Sequence, residues 1–380
     1  MKITFKFVSV LFILFSCSTN SEKSTSSNSP QQPQKDKEIN KNNILSETPN
    51  SELNIIASFL GGNQPKNMAD FSSAFNSLEW KNHQNLMNVA WSKAVKEKIT
   101  PMREWSKIQK IEKKTDTLFY PFSGADFLHV YSAHNDYSSY FLFGLEPVGE
   151  IPSKANILNA SNTQNILSTI YKSVDENLSQ SYFHTIYMAV EFNNPILKGT
   201  IPVFLFFMNK MDVQITSIQP VKYDENGNII KENQFTKGVR IGFMDNGQQK
   251  ELYYFSADIS NKGMNNSKGL KEMISKISKN STTMMKSASY LCHMPDFTTI
   301  RDLIVANTYS IMQDDTGVPY RFFEPSKWNF RHYGSYTQPI ALFSGRGQVD
   351  LRNAVKGIEK PISFRYGYND PPNIMIATRK

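Results

Sequence analysis

Cysteine is close to absent: only Cys17 and Cys292 stand in 380 residues. So small a number excludes a disulfide scaffold in any redox compartment. The six histidines, at 83, 129, 134, 184, 293 and 332, offer no close pair except His129 and His134. Those two are five apart, poor geometry for one helix face, so no metal is expected. The chain also lacks G-x-S-x-G, H-E-x-x-H, G-x-x-x-x-G-K-[ST], S-x-x-K and G-x-G-x-x-G patterns, and no cofactor is expected. There is no dense Lys/Arg run and no helix-turn-helix, zinc-finger or K-homology signature. The formal charge of +8 therefore does not argue for nucleic acid.

Aromatic residues, by contrast, are plentiful. They make up 12% of the chain, with 26 Phe and 17 Tyr, too many for a mainly disordered protein, so a sizeable core is expected.

The first seventeen residues, MKITFKFVSVLFILFSC, combine Lys2 and Lys6 with an apolar run from Phe7 to Phe15 and then Ser16-Cys17. Charge, a short apolar run and a small residue make a secretory signal, too short for a spanning helix. The ending Leu14-Phe15-Ser16-Cys17 resembles the lipobox of bacterial lipoproteins. That resemblance implies cleavage after Ser16, a diacylglyceryl thioether on Cys17 and an acylated new amino terminus. The protein is then held at a membrane by lipid on Cys17. Ser18-Thr19-Asn20 lacks the Asp associated with inner-membrane retention, which favours an outer membrane where the cell has one. With Cys17 lipidated, Cys292 has no intramolecular partner and reads as a buried, inert thiol.

Residues 17–49 are rich in Ser, Asn, Gln, Lys and Pro and carry no aromatic residue, so they read as a disordered tether. A flexible coil of that length reaches roughly 30 Å. The globular part is expected over 50–380 and begins at SELNIIASFL. It reads as α+β, a helical N-terminal part packed with an antiparallel or mixed sheet, with a division into two lobes expected, if at all, near 175–182.

Phe71, Phe75, Leu78, Trp80, Leu86, Val89, Trp91 and Val95 recur near the helical period. Pro101 starts another helix, with Trp105 and Ile108 on one side. DTLFYPFSG and SSYFLFGLEPVGEIP read as strands closed by Gly and Pro. ILNASNTQNILSTIYKSVDENL reads as a helix capped by Asn162 or Thr163. Residues 181–260, including SYFHTIYMAVEF and GTIPVFLFFMNKM, read as β-rich, with turns at Asp224–Asn228 and Asp245–Gly247. The first turn alternates oxygen ligands as a calcium loop does, but it lacks the sixth-position Gly and the twelfth-position acid. GLKEMISKIS is a helix, MMKSASYLCHM returns to a strand, and Asp296 caps a helix over FTTIRDLIVANTYSIM.

Two stretches concentrate chemistry. Ser123, Asp126 and His129 fall within seven residues, after a strand. The catalytic reading makes Ser123 a nucleophile; the cheaper one makes Asp126 a helix cap. In 314–352, Arg321, Trp328, Arg331, Tyr333, Tyr336 and Arg346 form a candidate binding set. Arginine grips carboxylate or phosphate in two places, and Trp and Tyr offer flat faces to sugar rings. Asp314, Asp315 and Glu324 are weaker candidates for the acid and carboxylate of glycoside cleavage. The plain structural alternative is that these groups cap turns and bridge loops. The expected function is a lipid-tethered cell-envelope protein that binds an envelope glycan, an acidic ligand or a protein partner. The alternatives are an envelope hydrolase acting on peptidoglycan or polysaccharide, and a structural lipoprotein.

Overall fold

The computed structural model describes residues 47–182, 197–358 and 360–380. The signal, Cys17 and the tether up to residue 46 lie outside the described residues, as does most of SYFHTIYMAVEF. The fold is α+β, as the residue pattern predicts, with twelve α-helices and one ten-stranded mixed sheet among the described residues.

Four helices come first: α1 (Ser51–Gly61), α2 (Ser72–Asn76), α3 (Leu78–Ala94) and α4 (Thr100–Gln109). Strand β1 (Thr117–Tyr120), helix α5 (Phe127–Ala133) and strand β2 (Ser139–Gly144) form a parallel unit. Helices α6 (Lys154–Leu158), α7 (Ala160–Gln180) and α8 (Ile201–Lys210) follow. Two hairpins come next, β3 (Gln214–Tyr223) with β4 (Ile229–Lys231) and β5 (Gly238–Asp245) with β6 (Gln248–Ser256), joined by β3–β5 pairing. Then come α9 (Asn261–Asn266), α10 (Leu270–Ser278), β7 (Thr282–Met285), α11 (Thr298–Asn307) and β8 (Ser310–Gln313). Strand β9 (Trp328–Gly334), α12 (Val349–Val355) and β10 (Asn373–Arg379) close the chain.

The sheet order is β4-β3-β5-β6-β2-β1-β7-β8-β10-β9. The five central strands, β6-β2-β1-β7-β8, run parallel, and antiparallel strands flank them on both sides. Successive residues go to opposite faces. Leu118, Tyr120, Tyr140, Leu142, Leu252 and Tyr254 join a core with helices α1 to α8. Phe119, Phe141, Phe143, Tyr253 and Phe255 join a second core with α9, α10 and α11. Burial on both faces explains why β1 and β2 are continuous apolar runs without alternation. Within the parallel five, the sheet grows one way from β1 to β2 and β6, and the other way to β7 and β8. The reversal falls between β1 and β7, where open sheets of this kind form a crevice at the carboxyl ends of their strands. Residues on both sides of 175–182 enter this one sheet, and α7 runs unbroken to Gln180.

Several local expectations change. Order is in place by Glu47, three residues earlier than expected: its carboxylate pairs with Arg240 at 3.2 Å and accepts from Thr216 and Ser217 at 2.7 and 2.6 Å. GTIPVFLFFMNKM is not a strand but the buried helix α8, with Pro202 in its first turn; an apolar run of that length has no period to decide the matter, and proline at the start suits a helix. The outer face of α3 carries Leu78, Leu86 and Val89 into solvent, while Trp80, His83, Met87 and Ala94 point inward. Trp80 Nε1 donates to Phe59 O at 3.0 Å and His83 Nε2 to Leu60 O at 2.8 Å, which fixes that rotation. Trp105 packs on Tyr333 and Phe364, but Ile108 is exposed. Asn159, rather than Asn162 or Thr163, caps α7. Asp296 does not cap α11; Asn261 of α9 accepts from Thr299 N at 2.9 Å instead. β7 ends at Met285, and residues 286–290 turn away from the sheet.

Candidate functional site

The carboxyl ends of β1, β2, β6 and β7 surround a cleft of about 150 Å³. That is below the usual volume of drug-sized pockets, roughly 300 Å³ and up, so it suits one small molecule or group. Pro121, Phe122, Phe143, Leu145, Ile259, Leu291 and Phe297 supply apolar walls. Glu146, Asp258, Ser287 and Ser289 supply the polar groups. Glu146 is buried, and burial raises its carboxyl above the ordinary range, so that it leans towards the protonated, donating form. Tyr254 hydroxyl donates to its main-chain oxygen at 2.8 Å and to Oε2 at 3.3 Å. Gly144 leaves the space this carboxyl needs, since a Cβ there would stand 2.2 Å from Glu146 Oε2.

The turn after β7 is strained. Ser287, Ser289 and Tyr290 have φ of 53°, 49° and 56°, a left-handed region that costs energy for residues other than glycine. Surrounding polar groups hold it there. Ser287 N donates to Asp314 Oδ2 at 3.0 Å, Ala288 N to Thr316 Oγ1 at 2.7 Å, and Tyr290 hydroxyl to Asp315 Oδ2. Ser287 Oγ is buried and, among the described residues, has no hydrogen-bond partner.

Behind the cleft lies a buried charge cluster. Asp126 Oδ2 stands 3.1 Å from Lys286 Nζ and accepts from Tyr120 hydroxyl at 3.1 Å. Its Oδ1 meets His129 Nδ1 at 2.7 Å and accepts from Asn177 at 3.2 Å and from His129 N, capping α5, at 3.3 Å. Burial opposes ionisation of Asp126, but the charge and hydrogen bond of Lys286 and the hydrogen bond from His129 hold the carboxyl below its ordinary range. For His129 burial wins over the carboxylate, and its pKa falls to about 4. The ion pair of Asp126 is therefore with Lys286, and His129 is a neutral donor through Nδ1. Lys286 also donates to Ser181 O, and Lys98 to Leu178 O at 2.6 Å, so two buried lysines meet the carbonyl end of α7.

The predicted residues disperse. Ser123 Oγ contacts Phe143 O and Gly124 O at 3.1 and 3.0 Å and accepts from Phe143 N at 3.0 Å. It pins the β1 turn to β2, and among the described residues no base hydrogen-bonds to it. Asp314 and Asp315 are buried at the end of β8 and fully engaged. Asp314 accepts from Ser287 N and from Thr316 N at 3.0 Å each; Asp315 Oδ1 accepts from Asn369 and Asn373 at 2.9 Å each. Burial and then the neighbouring Asp315 push Asp314 up to about 7. Glu324 is a surface residue paired with Lys327 at 2.8 Å. Trp328 is buried on β9 under the Arg379 guanidinium, 4.5 Å from its ring. Arg331 and Tyr333 fasten β9 to the end of α4 through Gln109 O and Oε1, at 2.7 and 2.5 Å. Tyr336 hydroxyl accepts from Gln348 N at 3.1 Å. Of the six candidate binding residues, Arg331 and Tyr333 meet on Gln109, while Arg321 and Arg346 lie in separate turns, Tyr320–Phe322 and Ala341–Arg346. Cys292 is buried, and burial pushes its thiol up to about 12.

Glu146, Lys286, Ser287 and His293 are absent from the predicted set. Their signal was a polar residue placed directly after an apolar strand, as in GLEP after β2 and KSAS after β7. With this geometry the class is defined only as an α+β protein with a carboxyl-edge cleft on a parallel core. No protein-family model, curated protein or solved structure matches the chain.

Proposed function

We propose that this is an exported, lipid-anchored envelope protein that binds a small ligand, without chemical turnover, in the cleft at the carboxyl ends of β1, β2, β6 and β7. The observation that carries the reading is an apolar-walled cleft at the strand ends, one side of which is the strained turn through Ser287 and Ser289. Mostly apolar clefts with a few polar residues in their lining, at the switch point of an open parallel sheet, are where small ligands bind. Hydrolysis finds less support. Glycoside cleavage needs two carboxyl groups facing across a cleft at roughly 5–9.5 Å. Asp314 and Asp315 are instead adjacent, buried and hydrogen-bonded, and Glu324 lies on the surface; of the two carboxyl residues that line the cleft, Glu146 is buried, while Asp258 is exposed and its Oδ1 accepts from Ser260 N at 2.9 Å.

Ala257 lines the cleft and is half-buried. Ala257→Phe is expected to abolish retention of small molecules from envelope extracts while leaving the thermal midpoint within a few degrees of the parent. Mass spectrometry of the retained molecules reads the result. Equal retention by this variant, or release of altered products by the parent, counts against a binding cleft.

The anchor rests on the Leu14–Cys17 pattern, and two or three acyl chains there give stable attachment where one is marginal. Cys17→Ser is expected to abolish incorporation of labelled fatty acid and to release the chain from membranes. Continued membrane attachment of that variant contradicts a simple lipid anchor.

A further inference from the structure

The lining of the carboxyl-edge cleft is one-sided in charge. Its two ionisable side chains, Glu146 and Asp258, are both acids, and no Lys, Arg or His lines it. Lys286, next to the lining residue Ser287, spends its Nζ on Asp126 and Ser181 O instead.

The Glu146 carboxyl lies at the wall itself. A Cβ added to Gly144 would stand 2.2 Å from Glu146 Oε2 and 2.9 Å from Gly124 Cα, and both glycines line the cleft. Glu146 is only 7% exposed. Among the described residues no cation faces it, and Tyr254 hydroxyl, 3.3 Å from Oε2, is its one side-chain donor. Buried carboxylates are ordinarily paired with a cation, and here the fold supplies none. Aromatic rings complete the lining. Phe122 and Phe297 are half-buried and meet edge to face at 6.0 Å, and Phe143 is a third. Ring faces attract cations, most strongly where water is excluded.

We infer that the cleft selects a small organic cation, a free alkylammonium whose charged nitrogen meets Glu146 and whose alkyl part packs on the apolar walls. The inference rests on reading this cleft as the ligand site. With two acids and no basic group, the lining repels a carboxylate or phosphate ligand. A bare metal ion is no better match. Hard cations take six or more oxygen ligands, and among the described residues no three Asp, Glu, His or Cys side chains are grouped to hold one. An ammonium on a phospholipid headgroup would bring its phosphate towards the same two acids, which favours a free amine.

The test is calorimetric titration of the full chain, in neutral detergent at neutral pH and constant ionic strength. The ligands are propylammonium, propanol and propionate, alike in size and different in charge, and glycerophosphoethanolamine. Propylammonium is expected to bind, and the other three to bind at least about tenfold more weakly. Glu146→Gln keeps the side-chain volume and is expected to weaken propylammonium by about tenfold or more. Its thermal midpoint is expected to be no lower than the parent's, because an unpaired buried acid is removed. Ala257→Phe is expected to abolish binding. Glu324→Gln, on the surface beside Lys327, is the control and is expected to bind normally. Absence of propylammonium binding, or binding unchanged by Glu146→Gln, overturns the cation assignment. Propanol or propionate binding as tightly, and lost in Ala257→Phe, also overturns it while leaving the cleft a binding site. Glycerophosphoethanolamine binding as tightly as propylammonium overturns the free amine.

Discussion

Lowering the pH from 7 to 5 is expected to remove several kcal/mol of folding stability, well before most carboxylates titrate. His83, His129, His134 and His293 are all held by burial at about 4 in the folded chain, against 6.5 when exposed. Between those values the unfolded chain binds up to four protons that the folded chain refuses, so stability rises with pH across about 4 to 6.5 and falls on acidification. Asp314 works in the opposite sense. Its folded value of about 7 lies above the 3.8 of an exposed carboxyl, so it favours the folded state at low pH and loses that contribution as pH rises towards 7. The raised carboxyls of Asp315 and Glu146 share its sign. The histidines outnumber them, and the net slope near pH 5.5 is roughly 2–3 kcal/mol per pH unit. Against a typical total of about 5–15 kcal/mol, that is a large fraction. Urea unfolding at pH 7, 6 and 5 measures it, and His83→Asn, which keeps a donor for Leu60 O, is expected to lower proton uptake by about one. Equal stability at pH 7 and pH 5 would mean that these rings are not buried neutral.

Lys286→Met is expected to be the most destabilising single change in the buried cluster, at about 3–5 kcal/mol. It strips Asp126 of its only full positive partner among the described residues while leaving the carboxylate buried among Tyr120, His129 and Asn177. Adding Asp126→Asn removes the stranded charge and is expected to recover most of the loss. The two changes are therefore strongly non-additive, with a coupling of about 2 kcal/mol or more. Denaturant titration of the parent, both single variants and the double variant reads that coupling. A double variant as unstable as the sum of the singles contradicts the ion pair as the centre of this cluster.

Where the chain was legible from sequence, the deciding signals were local. Asp224–Asn228 and Asp245–Gly247 carry their turn chemistry within five residues, and the hairpins β3–β4 and β5–β6 follow from them; that β5 then pairs with β3 rather than β4 does not. Asp126 caps α5 from three residues away, as expected. Where it was not legible, the partners were distant. Asn261 caps a helix that begins 37 residues later. Gln109 holds Arg331 and Tyr333 from 222 and 224 residues away, which turned two candidate ligand contacts into fold contacts. The cleft is the extreme case. Its walls are four strand ends between Pro121 and Leu291 that become neighbours only through parallel pairing. Nothing in the spacing of GLEP and KSAS announces that Glu146 and Ser287 share a cavity.

The measurement closest to the central claim is amide NMR of the full chain in neutral detergent, titrated with the small-molecule fraction of an envelope extract. If the carboxyl edge binds the ligand, the amides that shift are those of Gly124, Gly144, Glu146, Ala257 and Ser287 to Ser289, with Ala257→Phe silencing them. Shifts confined to β9 or to the exposed face of α3, with the cleft amides unmoved, would contradict it.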